Sequence, residues 1–262
     1  MLTDSHTHLD QFPPIEIPEV IGRAMEAGVG LIICAGTTLE SSRACVEMTK
    51  RYPVIYAGVG LHPMDLKRPL DDTTYREMAE MASSNSKVVC VSEIGLDFLP
   101  TSPPRDVQYQ ALRRQIGLAR ELKKPIIFHS RESHPEMIQV LREERAEEIG
   151  GVMHYFQGDA ETARQVLDLG FYISLAKPLL RLPELQEVAK GLPMERIVME
   201  TDCYPQPFKR HRHSWTEPHH VRMVAEKLGE IKGMGTEEVA EVTSRNLLGL
   251  LGMGEEEMTG QG

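Results

Sequence analysis

Short apolar segments alternate with longer amphipathic ones along almost the whole chain. The apolar segments, predicted as strands, are Leu2–His8, Gly30–Cys34, Val54–Gly58, Val88–Glu93, Pro125–His129, Gly151–His154, Phe171–Ser174 and Ile197–Thr201. Helical periodicity covers Ile17–Ala27, Leu39–Arg51, Thr73–Ser83, Pro104–Leu122, Pro135–Glu147, Ala160–Leu169 and Leu182–Gly191, then Pro218–Ile231 and Thr236–Leu251. Near-continuous apolar runs are what parallel strands buried on both faces look like. A strand followed by a helix, eight times over, predicts a (β/α)8 TIM barrel. A doubly wound open sheet shows the same alternation, because periodicity does not see closure. Gly28, Gly150 and Gly170 each precede a strand, where a helix-to-strand turn favours positive φ. Pro104 and Pro135 suit first-turn helix positions.

Composition sharpens this only a little. The 262 residues show no linker or composition break, so one barrel domain over 1–254 is expected, followed by a polar tail over 255–262. A net charge of −10 argues against a protein that coats long nucleic acid, an affinity built from many Lys and Arg contacts to phosphate. It leaves room for a nucleic-acid substrate gripped at one small site. Cys34, Cys45, Cys90 and Cys203 lie far apart, with no C-x-x-C pair, and read as reduced thiols. With no signal-like start and no long apolar run, the expectation is a cytoplasmic protein without a membrane span. No protein partner is inferable.

The polar residues at the strand ends change the picture most. His6 and His8 lie two apart at the end of the first predicted strand, so their imidazoles share a face. Taken alone, such a pair is more often incidental than a metal site. However, Glu93 ends the fourth strand, His129 the fifth and His154 the sixth, and Asp202 follows the eighth. All stand at C-terminal strand ends, the face where barrel enzymes place their active sites, which also favours closure over an open sheet. One buried His or carboxylate is usually a satisfied core group. Six such residues on five strands would leave two carboxylates and four imidazoles to desolvate together. The pattern therefore predicts one or two divalent metal ions. Two metals roughly 3.5–4 Å apart can clamp a water-derived nucleophile and a substrate oxygen, with Glu93 at mid-barrel as the natural bridging carboxylate. Mixed imidazole and carboxylate ligands suit zinc, manganese, iron or cobalt, with magnesium tolerated more weakly.

At these positions the chain resembles a known family. Asp4-Ser5-His6-Thr7-His8-Leu9-Asp10 is similar to the opening of the TatD-type metal-dependent hydrolases, within the amidohydrolase superfamily. Gly60-Leu61-His62-Pro63, Ser92-Glu93-Ile94-Gly95-Leu96-Asp97, Pro125 to Arg131, Glu200-Thr201-Asp202 and Thr243 to Leu248 resemble the segments at corresponding places in that family. The resemblance implies a two-metal barrel hydrolase. One metal would take His6, His8, Glu93 and Asp202, and the other Glu93, His129 and His154. It also implies deoxyribonuclease activity on phosphodiester bonds, in some members at strand ends, with deacylation of D-aminoacyl-tRNA as another described activity. The chain departs from the family pattern at Glu217, where Asn is common, at Cys203-Tyr204 after Asp202, and in Ser174-Leu175-Ala176-Lys177-Pro178, which lacks the frequent glycines. These departures bear on substrate contacts and leave the metal ligands untouched.

A second tier of residues carries two readings each. His62 follows the third strand and is placed to bind a phosphate or protonate a leaving group, or it is a loop histidine beside a proline. Arg131 is placed to hold an anionic oxygen, or it pairs with an acid such as Glu132. Lys209-Arg210-His211-Arg212-His213 is a dense basic run that either receives a polyanion or is a solvated face. Tyr204 and Trp215 flank it, ready to stack a base or to pack the loop. Asp4 and Glu200 read as partners that orient imidazoles or as a deep ion pair. His134, His219 and His220 read as helix-surface residues.

The leading expectation is a two-metal phosphodiesterase acting on DNA ends or single strands. In it Asp202 takes the proton of the attacking water, Glu93 bridges the metals, and His62, Arg131, Lys209, Arg210 and Arg212 contact substrate. Hydrolysis of a carboxylic ester, lactone, amide or aminoacyl-tRNA on the same metals is the alternative. A barrel kept only for binding is the third.

Overall fold

The computed structural model describes residues 1–254, so the polar tail expected over 255–262 lies outside the described residues. Eight strands form one sheet in sequence order: β1 (Leu2–Thr7), β2 (Val29–Ala35), β3 (Ile55–Val59), β4 (Val88–Asp97), β5 (Ile126–Arg131), β6 (Gly151–Met153), β7 (Tyr172–Leu175) and β8 (Ile197–Met199). The helices between them are α1 (Ile17–Glu26), α2 (Leu39–Arg51), α3 (Asp72–Ser84), α4 (Arg105–Leu122), α5 (His134–Glu143), α6 (Ala160–Asp168) and α7 (Pro183–Gly191). Two more, α8 (Val221–Lys232) and α9 (Thr236–Leu251), follow β8. The fold is a (β/α)8 barrel. Its described residues group into two compact units, one of residues 1–34, 155–163 and 173 onward, the other of residues 35–154 and 164–172.

In the first unit β1 runs parallel to β2, with Leu2 opposite Val29 and Thr7 opposite Cys34, and β7 runs parallel to β8. Every residue of β1 is buried, as expected of a strand covered on both faces. The C-terminal helix fixes where β1 begins: Ser244 Oγ donates to the Met1 carbonyl at 3.1 Å and lies 3.3 Å from Thr3 Oγ1. Asn246 Nδ2 donates to the Ile197 carbonyl of β8 at 2.8 Å. One helix thereby holds the first strand and the last.

In the second unit β3, β4, β5 and β6 pair in parallel. Helix α2 is capped by Thr38, whose hydroxyl accepts from Ser41 N, and α3 by Asp71, whose carboxylate accepts from Thr74 N. Two buried glutamines of α4 act as surrogates for missing backbone partners. Gln115 accepts from Leu61 N at 2.7 Å and donates to Leu61 O at 3.2 Å. Gln108 accepts from Asp97 N and donates to Asp97 O, both at 2.8 Å. The chain ends leaving β3 and β4, which carry the chemistry, are thus anchored to one helix.

Most predicted elements recur within a few residues, and the departures have local causes. Strand β4 runs on to Asp97, beyond its predicted end at Glu93, with all ten residues buried. Glu93 marks a change of chemistry on the strand, while the pairing with β5 continues through Gly95 opposite His129 and Asp97 opposite Arg131. Gly95 permits this. Its φ is +149°, and a Cβ there would lie 2.0 Å from the His129 carbonyl oxygen. Helix α5 stops at Glu143, and Arg145 turns left-handed at φ 51° before a short 3-10 turn at Ala146–Glu148. Pro104 sits at the cap of α4, one residue before the helix. The stretch Pro218–His220 is a 3-10 turn ahead of α8, so His219 and His220 are not helix-surface residues. Instead, His220 Nδ1 accepts from Glu217 N at 3.0 Å and closes a cap.

Gly95→Ala is expected to destabilise the protein by more than about 2 kcal/mol, since backbone strain of order 1–3 kcal/mol adds to a backbone clash. Chemical denaturation checks this. An unchanged midpoint would show that β4 and β5 separate easily there.

Candidate metal centre

In the second unit one carboxylate oxygen gathers three imidazoles. Glu93 is 3% exposed, and its Oε1 lies 2.7 Å from His154 Nε2, 3.2 Å from His129 Nδ1 and 3.2 Å from His62 Nε2. Each histidine arrives from a different element. His129 is on β5, His154 follows β6, and His62 caps the turn Pro63–Asp65 after β3. His129 Nδ1 and His154 Nε2 are 3.4 Å apart. Two nitrogens each about 2.0–2.1 Å from one zinc at tetrahedral angles lie about that far apart. The donor set, one carboxylate and two facing imidazole nitrogens, fits a borderline divalent ion.

The other nitrogen of His129 is already committed. Its Nε2 lies 2.9 Å from Asp97 Oδ2, the carboxylate–histidine arrangement that fixes the tautomer and orientation of a metal-binding ring. Asp97 is fully buried, yet it also accepts from Arg131 Nε at 2.7 Å, Ser102 Oγ at 2.7 Å and Leu99 N at 3.1 Å. Burial alone would raise its pKa, but the bonds from His129, Ser102, Leu99 and Arg131 outweigh it and hold the carboxyl well below the usual range. For His129, burial disfavours the proton, and the bonds to Asp97 and Glu93 more than offset this, so its proton affinity is raised. A metal must compete with that proton.

His62 is oriented by its backbone. Its Nδ1 accepts from Met64 N at 3.1 Å, so the neutral ring carries its proton on Nε2, facing Glu93. In that tautomer His62 donates into the site and does not ligate.

The first unit holds a second cluster. His6 Nε2 and His8 Nε2 are 3.3 Å apart, and Asp202 Oδ1 lies 3.3 Å from His8 Nε2 and 3.9 Å from His6 Nε2. These spacings also fit ligands of one ion. Backbone bonds set the register: Asp202 N donates to His6 O at 3.0 Å and His8 N to Cys203 O at 2.8 Å. Asp202 and Tyr155 take left-handed backbone angles, φ 49° and 47°, which non-glycine residues adopt only under constraint. Asp4 is fully buried and accepts from Thr201 N at 2.9 Å and Thr201 Oγ1 at 2.5 Å, which ties β1 to the segment entering Asp202. Burial pushes its carboxyl well above the usual range. Glu200 accepts from Tyr155 N at 2.7 Å.

The cationic candidates are placed less simply. Arg131 pairs with Asp97, not with Glu132, and so braces His129. Arg212 is bound by Glu16 through Nε at 2.6 Å and by Glu217 through Nη1 at 2.8 Å, and it lies over the rings of Trp215 and Phe12. Glu217 is further gripped by Arg23 Nε at 2.8 Å and Nη2 at 3.0 Å. Trp215 thus packs against Arg212 and, edge to face, Phe12. Lys209 Nζ donates to the Ser214 carbonyl at 3.0 Å, Arg210 is exposed, and Tyr204 is 38% exposed. All four cysteines are buried thiols. Asp97 is the functional residue that strand-end reasoning missed. The signal was present in Glu93-Ile94-Gly95-Leu96-Asp97, where period-two spacing puts Glu93 and Asp97 on one face.

A family described as TatD related DNase matches residues 3–252. The chain belongs to the TatD family of metal-dependent hydrolases. A TatD-family relative from Bacillus subtilis, an uncharacterised metal-dependent hydrolase, is 38% identical over 255 residues, covering 94% of this chain and 97% of its own. A mouse relative with the provisional name of a deoxyribonuclease is 28% identical over 260 residues, covering 94% of this chain and 86% of its own. The crystal structure of the TatD homologue YjjV from Escherichia coli superposes with a TM-score of 0.87 at 29% identity, covering 97% of this chain and 98% of that one. Among the described residues no helix is long and apolar enough to cross a membrane.

Asp97→Asn is expected to weaken metal binding about 10–100-fold while the chain stays folded, because an amide no longer selects the His129 tautomer. Metal titration followed by elemental analysis checks this, and unchanged affinity would make Asp97 a partner of Arg131 alone. Glu217 supplies a pH test. Burial opposes its charge, but His219, Arg23 and Arg212 prevail and depress its carboxyl well below the usual range. A group depressed on folding stabilises fully above its unfolded pKa of about 4.3, and that contribution fades as pH falls below it. Glu217→Gln should therefore cost roughly 1–3 kcal/mol at pH 7 and progressively less below pH 4. A pH-independent difference in denaturation midpoint would contradict the ion-pair account.

Proposed function

We propose that the protein is a two-metal phosphodiesterase, a deoxyribonuclease acting on DNA ends or single strands. The observation that carries this reading is Glu93 Oε1 facing the nitrogens of three histidines, in a family described as TatD related DNase. His6, His8 and Asp202 would hold one ion, His129 and His154 the other, and Glu93 would serve both. When bound, such ions supply Lewis-acid polarisation of a phosphoryl oxygen and lower the pKa of a water. Residues 1–254 act as one barrel domain in this reading, and four buried thiols accord with a cytoplasmic setting.

The chain's own residues then divide the work. Asp202, partly exposed beside His8, accepts the proton of the attacking water. His62, with Nε2 protonated, donates to the leaving oxygen or to a phosphoryl oxygen. Asp97 keeps His129 in the tautomer that presents Nδ1. Lys209 and Arg210 offer charge to a strand. Arg131 and Arg212, held on carboxylates, act on substrate through the groups they brace.

A panel of end-labelled single-stranded DNA, RNA, a simple phosphodiester, and aminoacyl and lactone esters tests the assignment on the metal-reconstituted chain. Turnover of the esters without cleavage of any phosphodiester would overturn it. Asp202→Asn separates a ligand from a base. The variant should remain about 10²–10⁴-fold slow at saturating metal, because an amide oxygen is a poor proton acceptor. Recovery of near wild-type turnover with excess metal would make Asp202 a ligand only and send the search for the base elsewhere.

A further inference from the structure

Two lysines from different loops converge on one short stretch of chain. Lys177 opens the 3-10 turn after β7, and its Nζ lies 3.3 Å from Thr216 Oγ1. Lys209 lies in the segment between β8 and α8, and its Nζ donates to the Ser214 carbonyl at 3.0 Å. That stretch is not free to drift. Thr216 N donates to the Gln206 side chain at 2.9 Å, Lys209 N to the Gln206 carbonyl at 2.9 Å, and Ser214 Oγ to the His211 carbonyl at 2.6 Å.

What these lysines lack is a counter-ion. The chain carries 39 acidic residues, and Arg212, a few positions from Lys209, is bound by two of them. Among the described residues neither Lys177 nor Lys209 has a carboxylate within ion-pair distance, and their hydrogen bonds run to neutral oxygens. The groups around Lys177 are neutral as well. The Cys203 thiol is fully buried. His220 is lowered to about 4, by burial and then by the charge of Lys177, so it is uncharged at pH 7. Burial and the charge of Lys209 both make Lys177 a weaker base than usual. A half-buried ammonium that feels the charge of a second cation is a standing electrostatic cost, and a doubly charged oxyanion bound by both reverses its sign. Each ammonium has three N–H groups, more than the partners seen here use. In barrel enzymes the loops after the seventh and eighth strands frequently form a phosphate site.

We propose that Lys177 and Lys209 form a phosphate subsite that holds a phosphate of the substrate other than the one being cleaved. The proposal rests on the phosphodiesterase reading for its substrate, while its binding chemistry is independent of the metals. Lys177 follows β7 and Lys209 follows β8, so both lie on loops leaving the C-terminal ends of their strands, as Asp202 does.

The test begins with the full chain, metal-free, titrated with inorganic phosphate and followed by thermal unfolding. Phosphate should raise Tm of the wild type, since a ligand that binds only the folded state stabilises it by mass action. Lys177→Met with Lys209→Met should abolish most of that shift, and Lys177→Arg should retain it. Without phosphate, Lys177→Met should unfold no earlier than wild type, because it removes an uncompensated cation. An earlier unfolding, with the phosphate shift intact, would make Lys177 a structural partner of Thr216 and overturn the proposal. So would a shift of equal size in wild type and the double variant, or no shift at all. On the reconstituted enzyme, Lys177→Met should raise KM for oligonucleotides about tenfold while lowering kcat far less. A rise confined to oligonucleotides with a 5′-phosphate assigns the subsite to a terminal phosphate, and a rise shared with 5′-hydroxyl strands assigns it to a backbone diester. A KM unchanged from wild type for every strand would overturn it. If no phosphodiester is cleaved by the wild type, the proposed function fails while the phosphate titration still decides the subsite.

Discussion

A carboxylate with almost no access to water, Glu93, is placed among the nitrogens of three histidines, and much of the site is arranged around that fact. An ionised carboxylate removed from water must be compensated, and here imidazoles from three separate elements supply the compensation. For those rings to arrive, β4 has to continue past Glu93 in close register with β5, which the missing side chain of Gly95 allows. The continuation delivers Asp97 to the far side of His129, where Gln108 pins its backbone from α4. A packing constraint and an electrostatic one are thus met by the same five residues of strand.

The other cluster is held by a different means. His6, His8 and Asp202 are set in register by backbone bonds between β1 and the segment after β8, with Asp4 clamping Thr201 from below. Asp202 adopts a backbone angle that a non-glycine residue does not choose freely. The segment beyond it is fastened by Arg23, Arg212 and Glu217. Its rigidity comes from ion pairs and capping, where the β4–β5 region relies on sheet register.

Much of this was legible in the chain. Apolar runs and helical periodicity gave the eight-fold alternation, and polar residues at strand ends gave the candidate ligands, because both depend on local pattern. What was not legible depended on partners distant in sequence. Glu93 looked like the end of β4 since a polar residue interrupts the run, and ending the strand there left the role of Asp97 hidden. Arg131 offered Glu132 as a neighbour, whereas the fold supplied Asp97 through strand pairing. Arg212 read as one cation in a basic run, and only the fold shows Glu16 and Glu217 closing on it. His219 and His220 fell on a helical pattern that begins three residues later than periodicity implied, because Glu217 and His220 form a cap first.

The pinning of β1 by residues near the other end of the chain also orders events during biosynthesis. Residues 62 to 154 contain every member of the Glu93 cluster, so a nascent chain can in principle assemble that group early. His6 and His8 emerge before that group, but they wait for Asp202 and Thr201, and for the helix whose Ser244 holds the Met1 carbonyl. Domains generally begin to fold while synthesis is still under way, and contacts of such long sequence separation close late. The residues of β1 are therefore among the last to find their partners. During that interval the two histidines remain open to stray cations, because the segment that sequesters them lies nearly 200 residues further along.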